Sequence, residues 1–185
     1  MGYDITCRGP HPDVEELDQR LRDLYPVQLV EIPAGTDGFT VTRIDIGEPL
    51  DGEDHAAEFD RLSQLQRASG AYFRVGYFHM PELVEAMHSL DALDHTPHPP
   101  WPDQSYDHPD VTAVRAYRGA TPLIPRAKLT SNDHWIITAE QAAASHAKCE
   151  GRVPRIMREP EDAAFWREWV DFLGHISTHD GAEVT

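Results

Sequence analysis

The sequence predicts a single α+β domain over residues 1–185, mostly helical with a small antiparallel sheet. Three observations carry this expectation. Apolar residues recur at helical spacing in several stretches, the longest holding Phe165, Trp166, Trp169, Val170, Phe172, Leu173 and Ile176. Two segments of alternating apolar residues flank the turn-rich Pro33-Ala34-Gly35-Thr36-Asp37-Gly38. Lys128 to Glu150 passes from a polar turn through a short apolar strand into a marked helix start.

In chain order, Tyr3 to Cys7 suits a first strand, broken by Gly9-Pro10-His11-Pro12. Val14, Leu17, Leu21 and Leu24 predict a helix over 12–24, ended by Pro26. Val27–Ile32 and Phe39–Ile46 predict a hairpin, with a bulge near Arg43 where the alternation shifts phase. A second helix is expected over 53–68. Tyr72–Phe78 fits a strand, an irregular core segment or a helix, because a short apolar run does not discriminate them. Pro81 opens a helix with Leu83, Met87, Leu90 and Leu93 on one face.

Residues 94–110 hold five prolines, three histidines and Trp101. Proline removes donors and helix competence, so an extended loop is expected, either a lid or a strap whose Trp101 plugs the core. Val111–Arg118 suits a short helix or a strand. Thr138 is the expected N-cap of the next helix, with Gln141 completing a capping box. Ala139, Ala142, Ala143 and Ala147 are expected on its packing face, with His146 among them. Gly151 fits the left-handed position after it, and Pro154 prevents continuation. The last helix covers 161–176, with Arg167, Glu168, Asp171 and His175 outward, and the tail from Asp180 frays or adds an edge strand.

Of 185 residues, 40% are hydrophobic and 26% charged, as in ordinary soluble domains. No apolar run is long enough for a membrane span. Met1-Gly2-Tyr3-Asp4-Ile5 has neither the basic flank nor the apolar stretch of a signal peptide. Two cysteines, Cys7 and Cys149, suggest reduced thiols in a cytoplasmic protein, a disulfide between the two ends being the alternative. The net charge of −16 argues against nucleic acid as a partner and for a protein partner. The charge is unevenly spread. Residues 111–158 carry eight Lys or Arg against three Asp or Glu, and the rest of the chain eight against twenty-nine.

No phosphate-binding glycine loop, dinucleotide fingerprint, His-Glu-x-x-His, Cys-x-x-Cys or Gly-x-Ser-x-Gly is present. The expectation therefore leans towards a non-enzymatic, acidic interaction protein without a cofactor. The alternative is a small-molecule or anion-binding protein, or an enzyme, with a pocket at Arg126, Lys128, Ser131, Asn132, Asp133 and His134, where donors, acceptors and an imidazole gather at a strand mouth. Ser, Asn and Asp also favour plain turns. Asp133, read structurally, would accept backbone N–H bonds within the turn and orient His134 or Trp135. No closed Cys/His set predicts a tightly bound metal. His175, His179 and Asp180 form one suggestive spacing, two histidines four apart followed by a carboxylate, and His95, His98 and His108 of the proline loop offer a weaker set.

Ile124-Pro125, Lys128 and Ser131-Asn132-Asp133-His134-Trp135-Ile136-Ile137-Thr138-Ala139-Glu140 resemble a pattern in uncharacterised proteins of GC-rich bacteria and their phages. There Ser-Asn-Asp, one residue, Trp and a Thr-x-Glu helix start recur, and Tyr72-Phe73-Arg74 is a second shared piece. His134 stands where that pattern has Gly. The resemblance implies a phage or defence setting and no particular activity.

Overall fold

The computed structural model describes residues 2–9, 27–34, 39–46, 69–76, 79–105 and 108–185, with Gln19, Arg61, Gln64 and Leu65 as single helical positions. The expected helices over 12–24 and 53–68 otherwise lie outside the described residues. The chain divides into two compact units. One comprises Met1–Pro10 with Gly70–Thr185, the other His11–Ser69.

In the larger unit the described elements are strand β1 (Gly2–Cys7), β4 (Tyr72–Gly76), helix α1 (Met80–His88), β5 (Leu93–Asp94), α2 (Pro109–Arg115), β6 (Ile124–Pro125), β7 (Trp135–Ile137), α3 (Ala139–Cys149), α4 (Pro160–Ser177) and β8 (Ala182–Val184). The smaller unit holds β2 (Val27–Ala34) and β3 (Phe39–Ile46). These pair antiparallel from Val27↔Ile46 to Ala34↔Phe39. That register is continuous through Val30↔Arg43, so the expected bulge is absent. Pro33 and Ala34 belong to the strand, leaving a shorter connection than the sequence suggested.

The chain is α+β. Four strands form an antiparallel sheet in the order β4-β1-β8-β7. The tail, expected to fray or to join an edge, is instead an inner strand. β8 lies between β1 and β7, with Ile5 and Trp135 both opposite Val184. Ile5, Ile137, Ala182 and Val184 are wholly buried. Alternation sets this up: Tyr3, Ile5 and Cys7 all point into the core.

Helix α4 covers the sheet with Trp166, Trp169, Phe172, Leu173 and Ile176, all buried. Phe73 of β4 packs 5.1 Å from the Trp169 ring and 5.6 Å from Phe172, at tilts favourable for aromatic rings. Arg167, Glu168 and Asp171 are exposed as expected, but His175 is half-buried.

Helix α3 packs on α4. Its N-terminus carries the predicted capping box: Thr138 Oγ1 accepts from Gln141 N and Gln141 Oε1 accepts from Thr138 N. Its buried face differs from the expected alanine face. Gln141, Ala142, Ser145 and Cys149 are inside, while Ala143 and Ala147 are exposed. The physical reason is that two polar side chains on that face have partners. Ser145 Oγ accepts from Ile124 N at 3.0 Å and donates to Ala92 O at 2.9 Å, joining the β6 and β5 segments beneath the helix. β5 and β6 form a short parallel pair. Gly151 is left-handed at φ 67°, as expected.

Helix α1 ends at His88, earlier than the apolar spacing suggested, and Leu93 lies in β5. The segment after β5 is extended, and α2 settles 109–115 as helix. Trp101 does not plug the core: it is 40% exposed and lies against Trp135.

Trp169 is fully buried at the centre of this packing. Trp169→Ala is expected to lose about 3–5 kcal/mol of stability, measured by urea unfolding. An unchanged midpoint would contradict the packing described.

Candidate functional site

The stretch singled out by sequence begins in a 3-10 turn, Arg126–Leu129. Lys128 points inward from it and has no solvent exposure. Its ammonium donates to the Ile136 carbonyl and, at 3.1 Å, to Gln141 Oε1, and stands 5.2 Å from the centre of the Tyr117 ring. Gln141 also donates to Arg118 O at 3.2 Å. One side chain thus closes the helix cap, receives the lysine and ties down the loop before β6. Burial, with a further push from the Arg118 charge, lowers the Lys128 pKa to about 7. A lysine titrating near neutrality suits acid–base chemistry when substrate can reach it. This one is sealed from solvent and bonded to groups of the fold.

The turn that follows is held by its neighbours. Ser131 Oγ accepts from the Trp135 indole N–H at 2.9 Å. His134 adopts φ 56°, the left-handed conformation that a Gly at this position would adopt more readily. Its Nδ1 lies 2.8 Å from Glu183 Oε1. Arg115 Nη2 reaches the same oxygen at 2.9 Å, and Arg115 Nε donates to His134 O at 2.7 Å. A clamp from α2, β8 and the turn therefore fixes the strained residue. Asn132 and Asp133 are exposed. Asp133 accepts no hydrogen bond among the described residues, so Ser131 and Glu183 do the orienting expected of it. Arg126 is also exposed. The six residues expected at a pocket are thus split among a buried anchor, a self-bonded turn and open surface.

Trp135 is buried beneath an aromatic cover. Trp101 lies 5.0 Å away, His98 5.5 Å and Tyr117 5.8 Å, measured between ring centres. Nearby, the Asp94 carboxylate is buried. It accepts from Thr121 N, Thr121 Oγ1 and Thr96 N. Burial alone would raise its pKa, but the hydrogen bonds from Thr121 and Thr96 outweigh it and hold the carboxyl well below the usual range. Burial, reinforced by that charge, pushes Tyr117 up to about 12.

The suggestive histidine pair lies at the far end of α4. The His175 and His179 rings stack with centres 4.3 Å apart. The third donor brought to them is Cys7, where the sequence had suggested Asp180. One ligand atom from each of Cys7, His175 and His179 lies within 4.8 Å of the other two. Asp180 stands beside Gly9, and its charge adds to burial in pushing the Cys7 thiol up to about 11. Cys149 is a separate buried thiol, so the two cysteines are not bridged. Sequence reasoning passed over Cys7, Glu183 and Arg115, because no local pattern announces partners that lie this far apart in the chain.

A groove of about 500 Å³ opens between α1 and the start of α4, lined by His79, Pro81, Glu82, Glu85, Ile156 and Asp162. Among the described residues no helix is long and apolar enough to cross a membrane. Comparisons with family models, curated proteins and solved structures found no match.

Two outcomes are expected at this site. Ser131→Ala strands the buried Trp135 N–H and should cost about 1–3 kcal/mol, while Asp133→Ala should leave the urea midpoint unchanged. The second concerns pH. Below pH 7 Lys128 is protonated in both folded and unfolded chains. Between about 7 and its ordinary 10.5 the unfolded chain holds more protons, so stability rises with pH. Cys7, Cys149 and Tyr117 are raised and act oppositely, but only above pH 9. Wild type should therefore gain stability from pH 7 to 9 relative to Lys128→Met. Parallel pH profiles would contradict the buried-lysine account.

Proposed function

We propose that the protein is a non-enzymatic interaction protein that holds a basic segment of a protein partner in the groove between α1 and α4. The observation that carries this reading is the lining of the groove. Glu82, Glu85 and Asp162 supply three carboxylates, and Pro81 and Ile156 supply an apolar floor. Ile156 in the groove is 47% exposed, and Val153, three residues before it, is exposed to the same degree. An apolar anchor rimmed by like charges suits a partner with an aliphatic residue among Arg or Lys. Arg155 and Arg158 neighbour Ile156 in sequence but do not line the groove.

The net charge of −16 supports the same reading, since it attracts cationic partners from a distance. The self-bonded turn at Ser131–Trp135 leaves the central stretch as scaffold in this reading. Two buried thiols suit a cytoplasmic setting. A phage or defence role rests on the motif resemblance alone.

The test is fluorescence anisotropy with a labelled arginine-rich peptide carrying one leucine. Binding should weaken with salt. Neutralising the groove with Glu82→Gln, Glu85→Gln and Asp162→Asn together should weaken it about tenfold, while Asp103→Asn, Asp133→Asn and Asp171→Asn together should change it little. Equal losses in both triple variants would reduce the effect to net charge and overturn the groove.

A further inference from the structure

We propose that Cys7, His175 and His179 form a binding site for a divalent cation of the zinc class, clamping the end of the first strand to the end of the last helix. The site is built by topology. β8 pairs with β1 so that Ala182 faces Cys7, and Arg8 N donates to Gly181 O at 2.8 Å. The turn between α4 and β8 is therefore pinned against the end of β1. That turn continues the helical path far enough for His179 to stack on His175. The result is one sulfur and two imidazole nitrogens within 4.8 Å of one another, contributed from opposite ends of the chain.

The donor chemistry fits a borderline-soft cation. Thiolate and imidazole together select zinc-like ions over magnesium or calcium, which take oxygen. Bound zinc would draw the donors to roughly 3.5 Å apart, a contraction of about an ångström within reach of side-chain rotation. On coordination Cys7 releases its thiol proton to solvent. Water fills the fourth position.

The surroundings of His179 match those of metal-bound imidazoles. Its Nδ1 lies 2.8 Å from His175 O. A carbonyl only accepts, so Nδ1 carries the proton and the lone pair of the neutral ring sits on Nε2. Ligating histidines are oriented by such a bond from the other ring nitrogen to a backbone carbonyl. His175 lies close to Gly70, where an added Cβ would stand 3.0 Å from its Nδ1. A second histidine contact, His88 Nδ1 to His95 Nε2 at 2.9 Å, is exposed and brings no third donor among the described residues.

The experiment is titration of metal-free, full-length protein with Co²⁺ and then Zn²⁺, followed by absorption and thermal unfolding. One equivalent of Co²⁺ should give a thiolate-to-cobalt charge-transfer band, displaced by Zn²⁺, and Zn²⁺ should raise the melting temperature. Cys7→Ser should abolish the band. His179→Gln should weaken binding by about tenfold or more and remove the thermal shift. Cys149→Ser and His88→Gln should behave as wild type. Should Cys7→Ser fail to fold, His179→Gln, at the end of the helix, decides alone. No stoichiometric binding, or binding that survives His179→Gln but is lost in His88→Gln, would overturn the proposal.

Discussion

The pairing of β8 with β1 is the constraint on which the rest of the larger unit depends. It puts the last strand inside the sheet rather than at its edge, with Val184 between Ile5 and Trp135. Once there, β8 places Glu183 beside His134 and Arg115, and so fixes a turn that a non-glycine residue enters at positive φ. The same pairing brings Cys7 to the end of α4 and positions β7 to start α3. Several distant features thus follow from one register of a three-residue strand.

Four polar side chains in the described interior each tie separate segments together. Lys128, Gln141, Ser145 and Asp94 are all buried, and each is hydrogen-bonded to backbone, as burial of a polar group demands. Lys128 donates to a strand carbonyl, Ser145 joins two loops under α3, and Asp94 gathers the amides after β5 and before β6. This accounts for the functional look of the central stretch. Its titratable and polar residues serve the packing of short elements that could not close around apolar side chains alone. The groups left facing outward are elsewhere, in the acidic groove and along the exposed loop segments.

What was legible in the sequence is local. The capping box at Thr138 and Gln141, the left-handed Gly151, the hairpin at 27–46 and the apolar arc of α4 each depend on residues within a few positions of one another. What was not legible depends on distance or on buried polarity. Nothing near His134 announces Glu183, and nothing near His175 announces Cys7. The sequence points to an alanine face on α3 because hydrophobic periodicity does not register a serine or glutamine that is buried with its partners satisfied. The tail on its own suits a frayed end or an edge strand because it is short, and only the pairing of Ala182–Val184 on both sides makes it core.

Gly181 is the point at which the central claim is most exposed. It leads into β8 at φ 81°, and an added Cβ would stand 2.0 Å from the Ile137 carbonyl oxygen. Gly151 has a similar φ of 67° but open space around it. The decisive measurement is the unfolding free energy of Gly181→Ala beside Gly151→Ala. Gly151→Ala carries only the conformational cost of the left-handed backbone, about 1–2 kcal/mol. If the β1–β8–β7 pairing holds the unit together, Gly181→Ala must push β8 off the Ile137 backbone and lose more than about 3 kcal/mol. Equal losses in the two variants would contradict it.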